Sequence, residues 1–487
     1  MKLIFEKSGL SVSTDYLPAL PSEFRSADEI LPDALRRTST TILPEISELD
    51  LVRHYSDLAK RTTGVDQSFY PLGSCTMKYN PKIGDASGAL PGFAHIHPLA
   101  PESTVQGWLA LLYDLKVRLA EITGMDNVTL APMAGAHGEW TGMFCIRQYH
   151  EKRGDLAKRT EVLVPDSAHG TNPASAGMCG FSIVKVDSDA DGRVDLNDLD
   201  RKLSDKTAAL MLTNPNTLGI FDSNIVEIAS RVHKAGGLLY YDGANMNAIC
   251  GKARPGDMGF DVVHLNVHKT FATPHGGGGP GGGPVGVKAS LADYLPLPDI
   301  AKTDDGFYYW KTDGGDSIGR VGSFYGNARV YVLAYAYILR CGGNGLADVA
   351  ERAALNANYL RAALKDRFPI AYQTPTFHEF VCAPSDAMLA AGVHTLDIAK
   401  RLIDFGYHPM TIYFPLIVKE AMMIEPTETE SKETLDAFID VMLKIADEIQ
   451  TTPDIVKNAP NKAPIRRVDE VKAAKDLCLT YRRPESN

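Results

Sequence analysis

Lys269 occupies the position in this sequence that best suits covalent chemistry. It follows a short apolar run and precedes a long glycine-rich segment in HLNVHKTFATPHGGGGPGGGPVGV, residues 264–287. A lysine at the end of a strand can present its amine to a carbonyl compound and form a Schiff base. A lone lysine at such a place more often only extends its charged tip into solvent. The covalent interpretation therefore depends on the residues that accompany it.

Asp242 is the first of these residues and ends the apolar stretch in LLYYDGAN. It precedes Lys269 by 269 − 242 = 27 residues, one strand–helix–strand unit, so both side chains can face one crevice. A carboxylate beside a pyridine nitrogen keeps that ring protonated, which makes pyridoxal phosphate an electron sink. An aspartate at a strand end is otherwise a common turn residue. The combination of Lys269 and Asp242 favours the cofactor interpretation.

The small residues Ala134, Gly135 and Ala136 offer a place for a phosphate group. They open a predicted helix in APMAGAHGEWTGM, residues 131–143, where the free N–H groups of the first turn stabilise an anion. The glycine run at 276–283 also has a G-x-G-x-x-G spacing, but Pro280 interrupts it and no Rossmann-type acidic residue follows. We interpret that run as a permissive loop beside the lysine.

Other polar motifs support a site without a metal. His169 in PDSAHGTNPASA follows a predicted strand and can lie flat on a cofactor ring, although a lone histidine is more often structural. The histidines form no H-E-x-x-H or Cys/His grouping, so no metal site is predicted. Ser74 and Cys75, in YPLGSCTMKYNP, lack a nucleophile elbow and are interpreted as a tight turn that lines the site.

The elements that must position these residues are short apolar strands alternating with helical stretches. This pattern is typical of a parallel sheet covered by helices, whose ligand crevice lies at the carboxyl ends of the strands. The predicted strands are Val162–Pro165, Ser182–Val186, Ala208–Thr213, Gly237–Tyr241, Val262–Val267 and Pro284–Val287. After a predicted helix at 326–365, short strands mixed with helices favour a smaller α+β region.

We expect four parts in the chain. They are an N-terminal arm at 1–75, a large cofactor-binding domain at 76–330, a small C-terminal domain at 331–452 and a surface extension at 453–487. The arm contains one predicted helix after Pro44, because apolar residues recur there at helical spacing. These residues are Leu51, Val52, Tyr55, Leu58 and Ala59.

Composition narrows the class of protein. The 487 residues include 50 Lys and Arg against 60 Asp and Glu, a formal net charge of −10, which argues against sequence-independent nucleic-acid binding. The seven cysteines show no C-x-x-C spacing, which indicates a reducing compartment. No signal sequence or membrane-spanning run is recognised, so we expect a cytoplasmic protein without membrane association.

Long motifs throughout the chain resemble the glycine decarboxylases of the glycine cleavage system, the P-protein family, and most closely the cofactor-bearing second subunit of its split bacterial form. The motifs are SELDLVRHY at 47–55, YPLGSCTMKYNP at 70–81, GAHGEWTGM at 135–143, DSAHGTNPASA at 166–176, LTNPNTLGIFD at 212–222, YYDGANMNAI at 240–249, HLNVHKTFATPHGGGGPG at 264–281, SIGRVGSFYGN at 317–327 and MMIEPTETESKETLD at 422–436. Two departures are His137, where many relatives have Gln, and Gly322, where a larger residue is common.

The resemblance implies a fold-type I, aspartate aminotransferase-like, pyridoxal phosphate enzyme. Lys269 would hold the cofactor as a Schiff base, Asp242 would pair with the ring nitrogen, and His169 would stack on the ring. The other cofactor-binding candidates are Ala134, Gly135, Ala136, Thr213, Asn214, Ala244 and His268. The substrate-proximal candidates are Ser74, Cys75, Thr76, Lys78 and Arg320, of which Lys78 and Arg320 are candidates for binding the substrate carboxylate.

The same resemblance implies a reaction and its partners. Glycine would be decarboxylated, CO2 released, and the aminomethyl group transferred to the lipoyl arm of the H-protein. A companion subunit 1 would complete an α2β2 heterotetramer, because single-chain members of the family are much longer. The alternatives are another fold-type I enzyme, either an aminotransferase or a cysteine desulfurase, and a non-catalytic scaffold subunit.

Overall fold

The computed structural model describes residues 2–7, 19, 21–38, 43–275, 281–477 and 479. The chain divides into two compact units, Met1–Thr63 and Gly64–Asn487. Most of the glycine-rich run, at 276–280, and Cys478 lie outside the described residues. Within the described ranges, none of the helices combines the length and apolar character that crossing a bilayer requires.

The first unit contains the helices α1 (Ala27–Ile30) and α2 (Glu48–Ala59). The predicted helix after Pro44 is therefore confirmed. Helix α2 begins after Ser47, whose hydroxyl accepts a hydrogen bond from the N–H of Asp50, and two acidic residues lie in its first turn. Val52 and Tyr55, on its predicted apolar face, are 55% and 56% exposed.

The second unit is built on a seven-stranded sheet. Its strands are β1 (Asn127–Thr129), β2 (Glu161–Pro165), β3 (Ser182–Val186), β4 (Thr207–Leu212), β5 (Leu238–Gly243), β6 (Val262–Leu265) and β7 (Val285–Val287). Their order in the sheet is β1-β7-β6-β5-β4-β2-β3. All six predicted strands are present. Each is a short apolar run, and the side chains are mostly buried in all of them except β3, where only Val186 is buried.

The predicted parallel sheet is present, with an antiparallel exception at one edge. Strands β2 to β6 pair in parallel, but β7 pairs antiparallel with both β6 and β1. A parallel return needs a crossover element that spans the sheet. The described part of the connection from β6 to β7 contains the four-residue helix α10 (Val267–Thr270) instead. Apolar periodicity identifies a strand but carries no information on its direction.

Helices cover the sheet on both faces and continue into the C-terminal region. Those that precede α10 are α3 (Lys82–Gly88), α4 (Pro91–Ala94), α5 (Gln106–Thr123), α6 (Gly135–Lys152), α7 (Thr171–Met178), α8 (Leu196–Lys202) and α9 (Ile225–Lys234). Those that follow it are α11 (Ala328–Leu364), α12 (Asp386–Ala390), α13 (Thr395–Asp404), α14 (Lys432–Thr451), α15 (Pro453–Lys457) and α16 (Glu470–Lys475).

Five further strands form two small sheets. Strands β8 (Asp299–Lys302) and β9 (Tyr308–Lys311) make an antiparallel hairpin that the sequence did not predict. Strands β10 (Phe380–Cys382), β11 (Thr411–Ile412) and β12 (Met422–Ile424) make an antiparallel sheet with β12 in the centre. The predicted smaller α+β region is therefore present.

Helix α11 joins the hydrophobic cores of the two regions. Leu346 belongs to the core beside the large sheet, whereas Ala357 belongs to the core around β10 and α14. Gly342, at φ +61°, breaks the helical conformation inside α11. Val456, in the segment predicted as a surface extension, is fully buried in the second core. The domain boundaries themselves remain a prediction.

Gly219 is a position where the backbone admits no side chain. Its φ is +77°, and a Cβ built there would lie 1.9 Å from the carbonyl oxygen of Glu379. Its own carbonyl accepts a hydrogen bond from the N–H of Phe377. The loop after β4 thereby touches the segment that leads into β10.

We predict that Gly219→Ala lowers the free energy of unfolding by about 3 kcal/mol or more, because left-handed strain of about 1–2 kcal/mol adds to the clash. The matched control is Gly154→Ala, at φ +76° with no atom within 4 Å of the new Cβ, which carries the strain alone. Urea denaturation followed by fluorescence measures both. Equal losses in the two variants would contradict the clash.

Candidate active site

A cavity of about 230 Å³ lies at the carboxyl ends of the parallel strands. The loops after β2, β4, β5 and β6 and the first turn of α6 contribute to its wall, together with residues from the C-terminal region. Its lining residues are Ser74, Gly135, Ala136, Glu139, His169, Thr171, Thr213, Pro215, Thr217, Asp242, Ala244, Asn245, Asn266, His268, Lys269, His378 and Glu379. The structure thus places Lys269 and Asp242 in one cavity.

Lys269 lies in α10, directly after β6. Its N–H donates to the carbonyl of Asn266 at 3.0 Å, which fixes the tight turn that carries the side chain. The side chain is partly buried and makes no hydrogen bond or ion pair with the described residues. An amine without a protein partner at the wall of a cavity is available to a ligand.

Asp242 is buried at the end of β5. Its Oδ1 accepts a hydrogen bond from the N–H of Ala244 at 3.0 Å and lies 3.4 Å from His264 Nε2. Burial by itself raises the pKa of a carboxyl, but His264 and Lys269 lower the pKa of Asp242 below its usual value. This carboxyl is therefore ionised and can hold a proton on a ring nitrogen facing it.

Glu139 on α6 was missed by sequence reasoning. Its carboxylate oxygens accept hydrogen bonds from the hydroxyls of Thr171 at 2.8 Å and Ser175 at 3.3 Å. Burial, reinforced by the charge of Asp242, raises the pKa of Glu139 to about 8. A ligand atom each of Glu139, Asp242 and His264 lies within 4.8 Å of the others, a grouping that no spacing in the sequence announces.

The start of α6 is open to an anion. The helix begins at Gly135, and no side chain caps its first N–H groups. A Cβ on Gly135 would lie 2.4 Å from Asn266 Oδ1, and one on Gly283 would lie 2.1 Å from the carbonyl oxygen of Ala134. These close approaches explain the small residues of this motif, since a larger side chain would fill the space beside the helix end.

Six of the predicted site residues lie outside the cavity lining. They are Ala134, Asn214, Cys75, Thr76, Lys78 and Arg320. Asn214 donates to the carbonyl of Asp222 and accepts from its N–H, so its amide serves the loop after β4. Arg320 is exposed. The functional roles of these residues remain predictions.

Lys78, a predicted substrate-proximal residue, is buried behind the cavity wall. Its ammonium group forms an ion pair with Glu428 at 2.7 Å and donates to the carbonyl of Thr270 at 2.8 Å. It also lies 3.3 Å from the hydroxyl of Tyr337. Because Thr270 directly follows Lys269, Lys78 steadies the turn that carries the reactive amine.

Two buried glutamates hold the neighbouring residues of the same loop. Glu379 accepts a hydrogen bond from the N–H of Ser74 at 2.7 Å. Glu425 accepts from the N–H of Thr76 at 3.0 Å and from its hydroxyl at 2.7 Å. Ser74 and Thr76 have φ values of +65° and +51°, and such left-handed backbone persists when surrounding contacts hold it.

Known proteins match the chain in sequence. Residues 142–278 match the family model described as aminotransferase class-V, and residues 349–466 match glycine dehydrogenase, C-terminal domain. The chain is 61% identical to the probable glycine dehydrogenase (decarboxylating) subunit 2 of Exiguobacterium sibiricum, over 98% of this chain and 97% of that protein. It is 58% identical to the protein of the same description from Bacillus licheniformis, over 98% of each chain.

This chain belongs to the glycine dehydrogenase (decarboxylating) subunit 2 family. Solved structures agree on the fold. A glycine decarboxylase (P-protein) in inhibitor-bound form superposes with a TM-score of 0.72 at 19% identity, over 88% of this chain and 100% of that one. A cysteine desulfurase from Thermococcus onnurineus gives a TM-score of 0.61 at 15% identity, over 80% and 98%. The predicted fold-type I class is confirmed.

The cavity of this chain fits pyridoxal phosphate, the cofactor of the class to which its relatives belong. Among the described residues, His268 Nδ1, Thr213 Oγ1 and Asn266 Oδ1 are buried without a hydrogen-bond partner, and all three side chains line the cavity. Buried polar atoms ordinarily have partners. A phosphorylated pyridine with hydroxyl and phosphate oxygens offers such partners.

We predict that Lys78→Met destabilises this glycine dehydrogenase subunit by about 3–5 kcal/mol, because it leaves Glu428 buried without its cation. The matched variant Lys78→Met/Glu428→Gln removes both charges and should recover most of that loss. Thermal unfolding of the cofactor-free chain measures the difference. A double variant no more stable than the single one would contradict the ion-pair account.

We also predict that Glu139 contributes stability to the cofactor-free chain that is lost as pH rises from about 4.5 to 8. The folded state raises the pKa of Glu139 to about 8, so it binds the proton more tightly than the unfolded state in this window. One such proton contributes a slope of about 1.4 kcal/mol per pH unit. Glu139→Gln should flatten this slope in urea titrations at several pH values, whereas Glu151→Gln, exposed on the same helix, should leave it unchanged.

Proposed function

We propose that this chain is the cofactor-bearing subunit of a glycine dehydrogenase (decarboxylating), which releases CO2 from glycine and transfers the remaining aminomethyl group to the lipoyl arm of an H-protein. The observation that carries the proposal is the meeting of Lys269 and Asp242 in one cavity of a chain 61% identical to a protein of that description. The resemblance of the motifs to the P-protein family supports the same reaction.

Each of these cavity residues has a separate role in binding the cofactor. Lys269 would hold the cofactor covalently through its free amine, and Asp242 would keep the ring nitrogen protonated. The N–H groups at the start of α6 would bind the phosphate together with His268, and His169 would contact the ring. The bound pyridoxal phosphate supplies an electron sink for the bond that breaks. Glycine would bind in the same cavity, and CO2 would leave from it.

The assembly that we propose contains more than this chain. The description subunit 2 on its relatives supports a companion subunit. We propose an α2β2 heterotetramer in the cytoplasm, with the lipoyl-bearing H-protein as a transient partner. Neither nucleic acid nor a membrane takes part.

The first test is exchange of labelled bicarbonate into the carboxyl group of glycine, with the companion subunit, pyridoxal phosphate and lipoylated H-protein present. We expect wild-type chain to catalyse this exchange, since decarboxylation is reversible at the bound cofactor. An aminotransferase would instead convert the cofactor to its amine form. Absence of exchange in the complete mixture would overturn the proposed function.

The second test concerns Lys269. We expect Lys269→Ala to lose the visible absorption of the protonated Schiff base and to lower the rate of exchange by at least about 1000-fold. The matched control is Lys185→Ala, an exposed lysine on β3 that pairs with Asp187. It should retain both properties. A visible band that survives in Lys269→Ala would exclude this lysine as the covalent ligand.

A further inference from the structure

The two buried glutamates behind loop 73–76 form a carboxyl pair. Ligand atoms of His378, Glu379 and Glu425 all lie within 4.8 Å of one another, and all three residues are at least 97% buried. The pair is not a closed structural unit. Glu379 and His378 line the same cavity as Lys269, and His378 Nδ1 has no hydrogen-bond partner among the described residues.

Two carboxylates whose oxygens lie within 4.8 Å of each other in a buried environment cannot both remain ionised. Each charge raises the cost of the other, so a pair of this kind retains one proton at neutral pH. Burial and the charge of Glu425 raise the pKa of Glu379 well above its usual value. Burial likewise raises the pKa of Glu425, although Thr76 and Asn245 donate hydrogen bonds to its oxygens. These hydrogen bonds stabilise the ionised form of Glu425, so Glu425 is the anion of the pair and Glu379 carries the proton.

The other groups of the cavity are less suited to give up a proton. Asp242 is ionised, and both oxygens of Glu139 already accept hydrogen bonds from hydroxyls. Burial lowers the pKa of His268 and of His378 to about 3, so neither imidazole carries a second proton at neutral pH. Glu139 also retains a proton at neutral pH, but the hydroxyls of Thr171 and Ser175 occupy both of its oxygens. Glu379 is therefore the protonated carboxyl of the described lining that is better placed to donate.

We propose that Glu379 and Glu425 act as the acid of aminomethyl transfer, and that Glu379 delivers their shared proton to the sulfur atom that leaves the lipoyl disulfide. This role rests on the proposed function. The carbon that has lost CO2 forms a bond with one lipoyl sulfur, and the S–S bond breaks. Its electron pair passes to the second sulfur, which takes the proton and becomes a thiol. The disulfide is thereby reduced by the electron pair that CO2 left behind, and water reprotonates the glutamate pair.

The charged groups that face the pair come from several elements. Lys269 on α10 favours the ionised form of both glutamates. The charge of Glu425 favours the protonated forms of Cys75, in loop 73–76, and of His275, which follows α10. The remaining neighbour is His378, whose Nε2 lies 3.6 Å from Glu379 Oε1.

Two half-reactions separate this role from a merely structural one. Glu379→Gln keeps the hydrogen bond to the Ser74 N–H but cannot donate an acidic proton. In the complex with the companion subunit, we expect it to lower single-turnover aminomethyl transfer to the lipoylated H-protein by about 100-fold or more. The spectral change on adding glycine and the release of CO2 in that first turnover should stay near the wild-type level. Glu430→Gln is the matched control, because Glu430 is also partly buried with a raised pKa but does not line the cavity.

Glu425→Gln tests the sharing of the proton. Removing the neighbouring charge lowers the pKa of Glu379, so the loss of transfer activity at high pH should move to lower pH by about one unit or more. Infrared spectra of the cofactor-free chain provide a second readout. The carbonyl band of buried protonated carboxyls should be present at neutral pH, with Glu139 among its sources, and the component that belongs to Glu379 should disappear in Glu379→Gln.

The outcomes divide cleanly. Equal losses of CO2 release and of transfer in Glu379→Gln would show that the pair only holds loop 73–76, and would overturn the role. Full transfer activity in Glu379→Gln would assign the proton to Lys269 instead. If the wild-type chain releases no CO2 from glycine, the proposed function fails, which is distinct from either result.

Discussion

Three buried glutamates of the C-terminal region bind every second residue of the loop from Ser74 to Lys78, and the geometry of the cavity depends on these contacts. Glu379 binds Ser74, Glu425 binds Thr76, and Glu428 binds Lys78. Ionisable groups in a low-dielectric interior are tolerated when each has a partner of suitable geometry. The loop that starts before the large sheet is thereby fixed against strands that follow it by some 300 residues.

These contacts extend to the turn that carries Lys269. Lys78 donates a hydrogen bond to the carbonyl of Thr270. The hydroxyl of Thr270 accepts a hydrogen bond from the N–H of Met246, in the loop after β5. The loops carrying Lys269 and Asp242 are thus linked through one threonine. Glu139 makes a similar link elsewhere in the cavity wall. Its carboxylate accepts a hydrogen bond from Thr171, which follows the loop that carries His169.

Local apolar pattern was enough to predict the strands that carry the site, because burial of a short strand selects branched and aromatic residues wherever the chain passes through the core. It was not enough for the direction of β7, which depends on the path that the chain takes after β6. Lys269, Asp242 and His169 could be proposed because each lies at the end of an apolar run or within four residues of it. Glu139, Glu379 and Glu425 could not, since a single glutamate in a helix or loop has the pattern of a solvated residue and its partners lie far away in sequence. Their raised pKa values arise from folding and leave no trace in composition.

The antiparallel return of β7 also restricts how Lys269 can move. Leu265, the last residue of β6, and Val285, the first of β7, lie in adjacent strands of the same sheet, and Lys269 follows Leu265 by four residues. The ladder hydrogen bonds of β6 fix the point where the chain leaves the sheet, and the N–H of Lys269 donates to the carbonyl of Asn266, so the backbone at Lys269 has little freedom to move. Any displacement of the amine during turnover must then come from rotation about its four side-chain bonds, a motion of nanoseconds that needs no rearrangement of the fold.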